Sequence, residues 1–351
     1  MKKLLAVATA LTVAAPAAMA SKARVEALGN SRQLVDVQYV FERPYMLHEV
    51  GDQVTLEWGS NKVTDTATPA VTGDRHAEGG FIKTHNEMVF GLYLGKQGLL
   101  AGTELAEQNP INLLFGMKTG EIAWGVNLGY SNGKKDATTA APTDELKSSS
   151  MTLDLGARMG DWSVNVGSTL NAKAEKVTAP ATETEIKNAM NVGVDYQINE
   201  NSEAYVTYNT YKVEQGAASL ETNRTEVGYI NTFAKTDDVN FFYGVGYFTG
   251  KDADKDISGL PVWMGLEANA NSWMVFRASV KQNVFVNNED DAAGNSTDLD
   301  SIAFNAGLGL KLGKGMLDAT FGTANAGHLS YTDGTNPGEN FMSHVSYTYM
   351  F

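Results

Sequence analysis

The stretch Glu121-Ile122-Ala123-Trp124-Gly125-Val126-Asn127-Leu128-Gly129-Tyr130-Ser131 decides how the chain is read. Ile122, Trp124, Val126, Leu128 and Tyr130 occupy every second position. Ala123, Gly125, Asn127, Gly129 and Ser131 stand between them. A period of two places successive side chains on opposite faces of a strand, so one face is large and apolar and the other small and polar. The run is also long enough to cross a hydrocarbon layer, which takes a tilted strand of about 9–11 residues.

The same alternation spreads outward from this stretch. Met151, Leu153 and Leu155 show it, as do Trp162, Val164 and Val166, Met190 to Ile198, and Ile302 to Leu310. Short connections are predicted near 119–120, 159–160, 199–202, 235–238, 270–272 and 312–315. Long ones are predicted near 132–147, 172–187, 214–221, 250–259, 286–299 and 325–339. Outer-membrane barrels have short periplasmic turns and long extracellular loops. Counting back from a final descending strand adds short strands near 53–59, 78–83 and 87–95. The expected fold is an all-β transmembrane antiparallel β-barrel of about 16 strands, or about 14 if the first two pair elsewhere.

Composition fits this reading. After the first residues no run is long and apolar enough for a membrane helix. There are 35 glycines, no cysteine, and 14 Phe with 14 Tyr. Lys2 and Lys3, an apolar stretch from Leu4 to Ala15, and Ala18-Met19-Ala20 before Ser21 have the form of a secretory signal with its cleavage site. The expected division is a signal peptide over 1–20, a periplasmic lead-in or lumen plug over 21–52, and the barrel over 53–351. Leu34, Val37, Phe41 and Tyr45 are spaced to share a helix face, limited by Pro44. The chain has 27 Lys+Arg against 41 Asp+Glu. Without Lys2 and Lys3 the formal charge falls from −14 to −16. Nucleic acid, which recruits clustered Lys and Arg, is not an expected partner.

The chain ends on Tyr347, Tyr349 and Phe351, aromatic at alternate positions. This resembles the terminal signature of outer-membrane barrels and implies recognition by the barrel assembly machinery of a Gram-negative outer membrane. As a whole the chain resembles porin-type outer-membrane proteins. Glu26-Ala27-Leu28-Gly29-Asn30, Phe41-Glu42-Arg43-Pro44 and Glu57-Trp58-Gly59 look like the entry segment of porin-like proteins from predatory bacteria of the Bdellovibrio type. The same stretch is similar to the N-terminal hatch of long-chain fatty-acid transporters, with Arg43-Pro44-Tyr45 where those often carry Asn-Pro-Ala.

If the apolar positions face lipid, the charged residues of the inner face are Glu57, Lys118, Asp154, Arg158, Asp195, Arg224, Glu226, Glu267, Arg277, Lys281, Lys311 and Asp318. Both signs occur. The expectation is a pore for passive diffusion of small hydrophilic solutes and ions, modestly cation-preferring because the loops carry excess acid. A structural or surface-interaction barrel with a plugged lumen is the first alternative. A hydrophobic-substrate transporter is the second. A homo-oligomer is left open. The histidines His48, His76, His85, His328 and His344 form no readable catalytic constellation, so neither an enzyme nor a cofactor is expected. Asp252, Asp254 and Asp256 have the spacing that opens a calcium loop, but Ile257 replaces the turn glycine and no Glu closes it.

Overall fold

A computed structural model describes residues 21–60, 75–96, 109–135, 145–177, 182–236, 238–253, 255–290, 302–324 and 344–351. The candidate signal peptide therefore lies outside the described residues. The strands are β1 (Gln53–Ser60), β2 (Arg75–His85), β3 (Met88–Leu94), β4 (Ile111–Thr119), β5 (Ile122–Lys135), β6 (Glu145–Met159), β7 (Trp162–Val177) and β8 (Thr182–Asn199). They continue as β9 (Ser202–Gln215), β10 (Ala218–Lys235), β11 (Val239–Asp252), β12 (Lys255–Asn271), β13 (Met274–Asp290), β14 (Ala303–Leu312), β15 (Gly315–Ala324) and β16 (His344–Met350). Each pairs antiparallel with its sequence neighbour, and β1 pairs β16 to close a 16-stranded barrel.

Closure removes both sheet edges and pairs every strand on two sides, which a backbone in lipid requires. The alternation read from sequence determines which side chains point outward. Leu56, Leu113, Trp162, Val206 and Phe276 are exposed on the outer surface. Thr55, Asn127, Ser163, Ser279 and Thr348 point inward and are buried. Tyr349 and Phe351 are on the exposed side of the seam strand, and the backbone N–H of Phe351 donates to the Asp52 carbonyl.

At the long-loop end the strands run further than the apolar pattern predicts. The connection expected at 214–221 is a tight hairpin between Gln215 and Ala218, with Gly216 at a positive φ of 59°. The one expected at 250–259 is another, between Asp252 and Lys255. The apolar alternation stops where lipid stops. The hydrogen-bonded ladder continues, carried by charge pairs such as Lys187–Glu214, Lys212–Glu214 and Lys173–Glu185. The second hairpin also carries two of the three acids with calcium-loop spacing. Asp252 stands opposite Lys255 on β12 and Asp256 opposite Lys251 on β11. Asp254 lies outside the described residues.

Residues 21–50 fold inside the ring. Ser21 caps helix α1 (Lys22–Ala27), its hydroxyl accepting from the Arg24 N–H. Gly29 and Asn30, both at positive φ, end the helix. Two 3₁₀ turns follow, Val37–Tyr39 and Pro44–His48. The single helix face expected for Leu34, Val37, Phe41 and Tyr45 is not formed. Asp36 caps the first turn through the Gln38 N–H, and Pro44 opens the second, where a missing N–H costs nothing.

Candidate functional site

Among the described residues the inner wall departs from a purely polar lining in three places; one is Ala172, Ala174, Ile186 and Ala189 of β7–β8, and the other two receive the internal segment. On one arc Ile82 of β2, Val89 and Tyr93 of β3, and Leu114 of β4 point inward. They pack against Val37, Val40, Phe41, Tyr45, Met46, Leu47 and Val50. On another, Tyr205, Ile230, Phe242 and Trp263 of β9–β12 pack against Leu28 and Leu34. The sequence signal for these patches is a broken alternation: Phe81-Ile82, Leu113-Leu114 and Phe241-Phe242 are apolar on both faces. Such a strand needs an apolar partner on the inside as well as lipid outside. Close approach is built in too. A Cβ at Gly125 would collide with the Pro44 carbonyl, and one at Gly29 would lie 3.0 Å from the Ser279 hydroxyl.

Polar anchors then fix the segment to two opposing walls. On the β12–β16 side, Arg24 donates from Nε to Glu267 at 2.9 Å and from Nη1 to Asp36 at 3.3 Å. Arg277 bridges Glu267 and Asp318. The Ser21 hydroxyl donates to Asp318 at 3.0 Å, Thr320 donates to the Ala23 carbonyl, and His344 meets Glu26. Glu57 of β1 accepts from the Lys22 N–H and the Gln38 amide. Arg24, Asp36, Arg277 and Asp318 are all buried. Removing one partner of such a pair strands a charge in low dielectric, at a cost of about 3–5 kcal/mol.

On the β5–β8 side, Arg32 donates to Asp195, which also accepts from Tyr45 at 3.3 Å and Ser163 at 3.2 Å. Arg158 pairs with Glu49. A row of amides runs above them. Asn112 donates to Asn127 at 3.0 Å, and Asn127 donates to Asp154 at 3.0 Å and to the Phe41 carbonyl at 3.1 Å. Asn191 reaches the other Asp154 oxygen at 3.5 Å. Burial holds the His48 imidazole below its ordinary pKa, because the charged ring would lose hydration beside the Trp124 carbonyl it contacts.

Seven of the twelve charged positions assigned to the inner face thus join the segment's anchoring or its adjacent network: Glu57, Asp154, Arg158, Asp195, Glu267, Arg277 and Asp318. Among the described residues the other five make no ion pair with it. Arg224 pairs with Glu226, which also accepts from the Tyr205 hydroxyl. Lys281 sits over the Trp263 ring, and Lys311 donates to Asn269. Lys118 lines a recess of about 320 Å³ at the short-turn mouth with His48, Glu49 and Arg158. Sequence reasoning did not single out Ser21, Arg24, Arg32, Asp36 or Gln38 as binding groups, since a segment without periodicity gives no face to assign.

Beyond the segment a recess of about 460 Å³ opens along β4–β9. Its floor is Phe41 and Glu42, and its walls include Asn112, Thr152, Asn191 and Asn209. Most of its polar groups are neutral amides and hydroxyls. Among the described residues no group of three His, Asp or Glu side chains is placed to hold a metal.

No protein-family model matches this chain, and no curated protein matches it. Several solved structures align with it. The monoaromatic hydrocarbon channel CymD is 10% identical, aligned over 95% of this chain and 98% of its own, with a TM-score of 0.45. CdiB from Acinetobacter baumannii is 14% identical over 85% of this chain, with a TM-score of 0.50; the alignment spans 59% of CdiB. A porin is 11% identical over 86% of this chain and 99% of its own, with a TM-score of 0.41. The match to CdiB is a likeness of fold alone.

Proposed function

We propose that the protein is an outer-membrane channel for small hydrophilic solutes and ions, and that residues 21–50 set its bore. The observation that carries this reading is the recess above the segment, where amides and hydroxyls such as Asn112, Thr152, Asn191 and Asn209 stand beside the apolar patch Ala172, Ile186 and Ala189. Sixteen strands enclose more space than inward side chains fill, and a segment wedged between two walls narrows that space without changing the ring. The acidic excess of the chain enriches cations near the mouths, so the pore prefers cations modestly, and more at low salt than at 1 M, where the Debye length is about 3 Å.

Planar-bilayer recording tests this. The intact barrel should show a small, cation-preferring conductance, and a heat-modifiable variant lacking residues 21–50 a several-fold larger one. One observation favours a second reading, a closed structural barrel: the ion pairs Arg24–Glu267 and Arg32–Asp195, which hold the segment on both sides. Folded protein that passes no current until the segment is removed would support that reading and overturn the channel.

A further inference from the structure

Ser21 is wholly buried, and its backbone nitrogen lies 3.0 Å from Oδ2 of Asp36, which is also wholly buried. We infer that this is a binding site for an α-ammonium group, filled by the chain's own N-terminus once export cleaves the Ala20–Ser21 bond. The inference rests on the reading of residues 1–20 as a signal peptide.

The charge count around Asp36 motivates it. Three carboxylates, Asp36, Glu267 and Asp318, are connected by hydrogen bonds with two guanidinium groups, Arg24 and Arg277. One negative charge is uncompensated in a cluster whose Asp36 and Asp318 are both buried. A peptide N–H at Ser21 offers Asp36 a dipole only. Cleavage replaces it with an ammonium that has three donors and a full positive charge, and the cluster then balances at three of each sign. Charge-assisted hydrogen bonds of this kind are roughly twice as strong as neutral ones.

The neighbourhood suits a small cation. Asp36 Oδ1 accepts from the Gln38 N–H, which leaves Oδ2 to face Ser21 and Arg24. The Ser21 hydroxyl bridges to Asp318 of β15, so the terminus contacts the segment and the barrel wall together. With only an amide at Ser21, burial pushes the Asp36 carboxyl up to about 6 despite Arg24, as expected for a site short of positive charge. Processing would therefore tighten the internal segment, and an uncleaved or extended chain would hold it loosely.

The test uses the full mature chain refolded into detergent in two forms, one beginning at Ser21 and one carrying two extra residues, Gly-Ala, before it. The readout is protease cleavage within residues 21–50 of heat-modifiable barrel. The extended form should be cleaved at least about tenfold faster, a shift of roughly 1.4 kcal/mol in segment docking. Asp36→Asn should speed cleavage in the Ser21 form and leave the extended form unchanged or slower, because there it removes an uncompensated charge. Equal cleavage of the two forms, or the same Asp36→Asn effect in both, would overturn the ammonium site. Intact-mass measurement of protein from outer membranes tests the processing step separately: an N-terminus other than Ser21 would overturn the self-binding and leave the refolding result to stand for the pocket.

Discussion

Arg24 and Glu267 are 243 positions apart in the chain and meet at 2.9 Å across the inside of the ring. Arg24→Met keeps most of the side-chain length and removes the charge. Asp36 then loses its guanidinium and Glu267 keeps only Arg277. Docking of residues 21–50 should weaken by about 3–5 kcal/mol. Expected outcomes are larger single-channel conductance and rapid proteolysis of the segment, with the barrel still heat-modifiable. Unchanged protection of the segment would show that the apolar clusters hold it alone.

Gly125 offers an independent route to the same displacement. A side chain there collides with the Pro44 backbone, which cannot swing away as a flexible side chain could. Gly125→Val should eject the Pro44–His48 turn while β5 keeps its pairing. Gly120 is the control: it sits in a short turn at a φ of 63° with open space around it, so Gly120→Ala should cost only about 1 kcal/mol of stability. Conductance separates the two, rising in the first variant and not in the second.

The order of strands was legible because lipid imposes one rule on the outer face of every strand. Counting in twos also reaches Glu57, Asp195, Glu267 and Asp318 as inward positions. Their partners were not reachable. Arg24, Arg32 and Asp36 lie in a segment with no repeat, and no local pattern links Arg32 to a strand 163 positions later. Ile82, Leu114 and Phe242 gave a visible sign, apolar neighbours on both faces, but that sign says only that something apolar covers them. The heights of the hairpins are not legible in the sequence for a related reason. Lipid contact sets where alternation ends, while backbone hydrogen bonding sets where a strand ends.

The terminal residue should matter for assembly more than for the finished ring. The Lys83 ammonium lies 4.8 Å from the Phe351 ring centroid, and the Phe351 N–H reaches Asp52 beside the closing pair of strands. Deleting Phe351 should lower the amount of heat-modifiable protein in outer membranes several-fold, while detergent-refolded protein loses little stability. Normal membrane levels would show that Tyr347 and Tyr349 suffice.

Cysteine labels report orientation directly, since the natural chain has no cysteine to interfere. Gly216→Cys sits in the hairpin joining β9 and β10, and Gly160→Cys in the turn joining β6 and β7, at the opposite end. A membrane-impermeant maleimide should label the first in intact cells and the second only after the outer membrane is opened. The reverse pattern would invert the proposed topology.

The anchors of residues 21–50 fall on opposite arcs, at Asp195 and Arg158 on one and at Glu267 and Asp318 on the other. A ring of strands is stiff along each strand and along its hydrogen bonds, yet it flattens easily, because flattening only bends the sheet between neighbours. A chain segment tied to both arcs acts as a strut across the diameter. It resists squashing along its own line and bulging away from it, so the cross-section of this ring is held in one shape by thirty residues that belong to none of its strands.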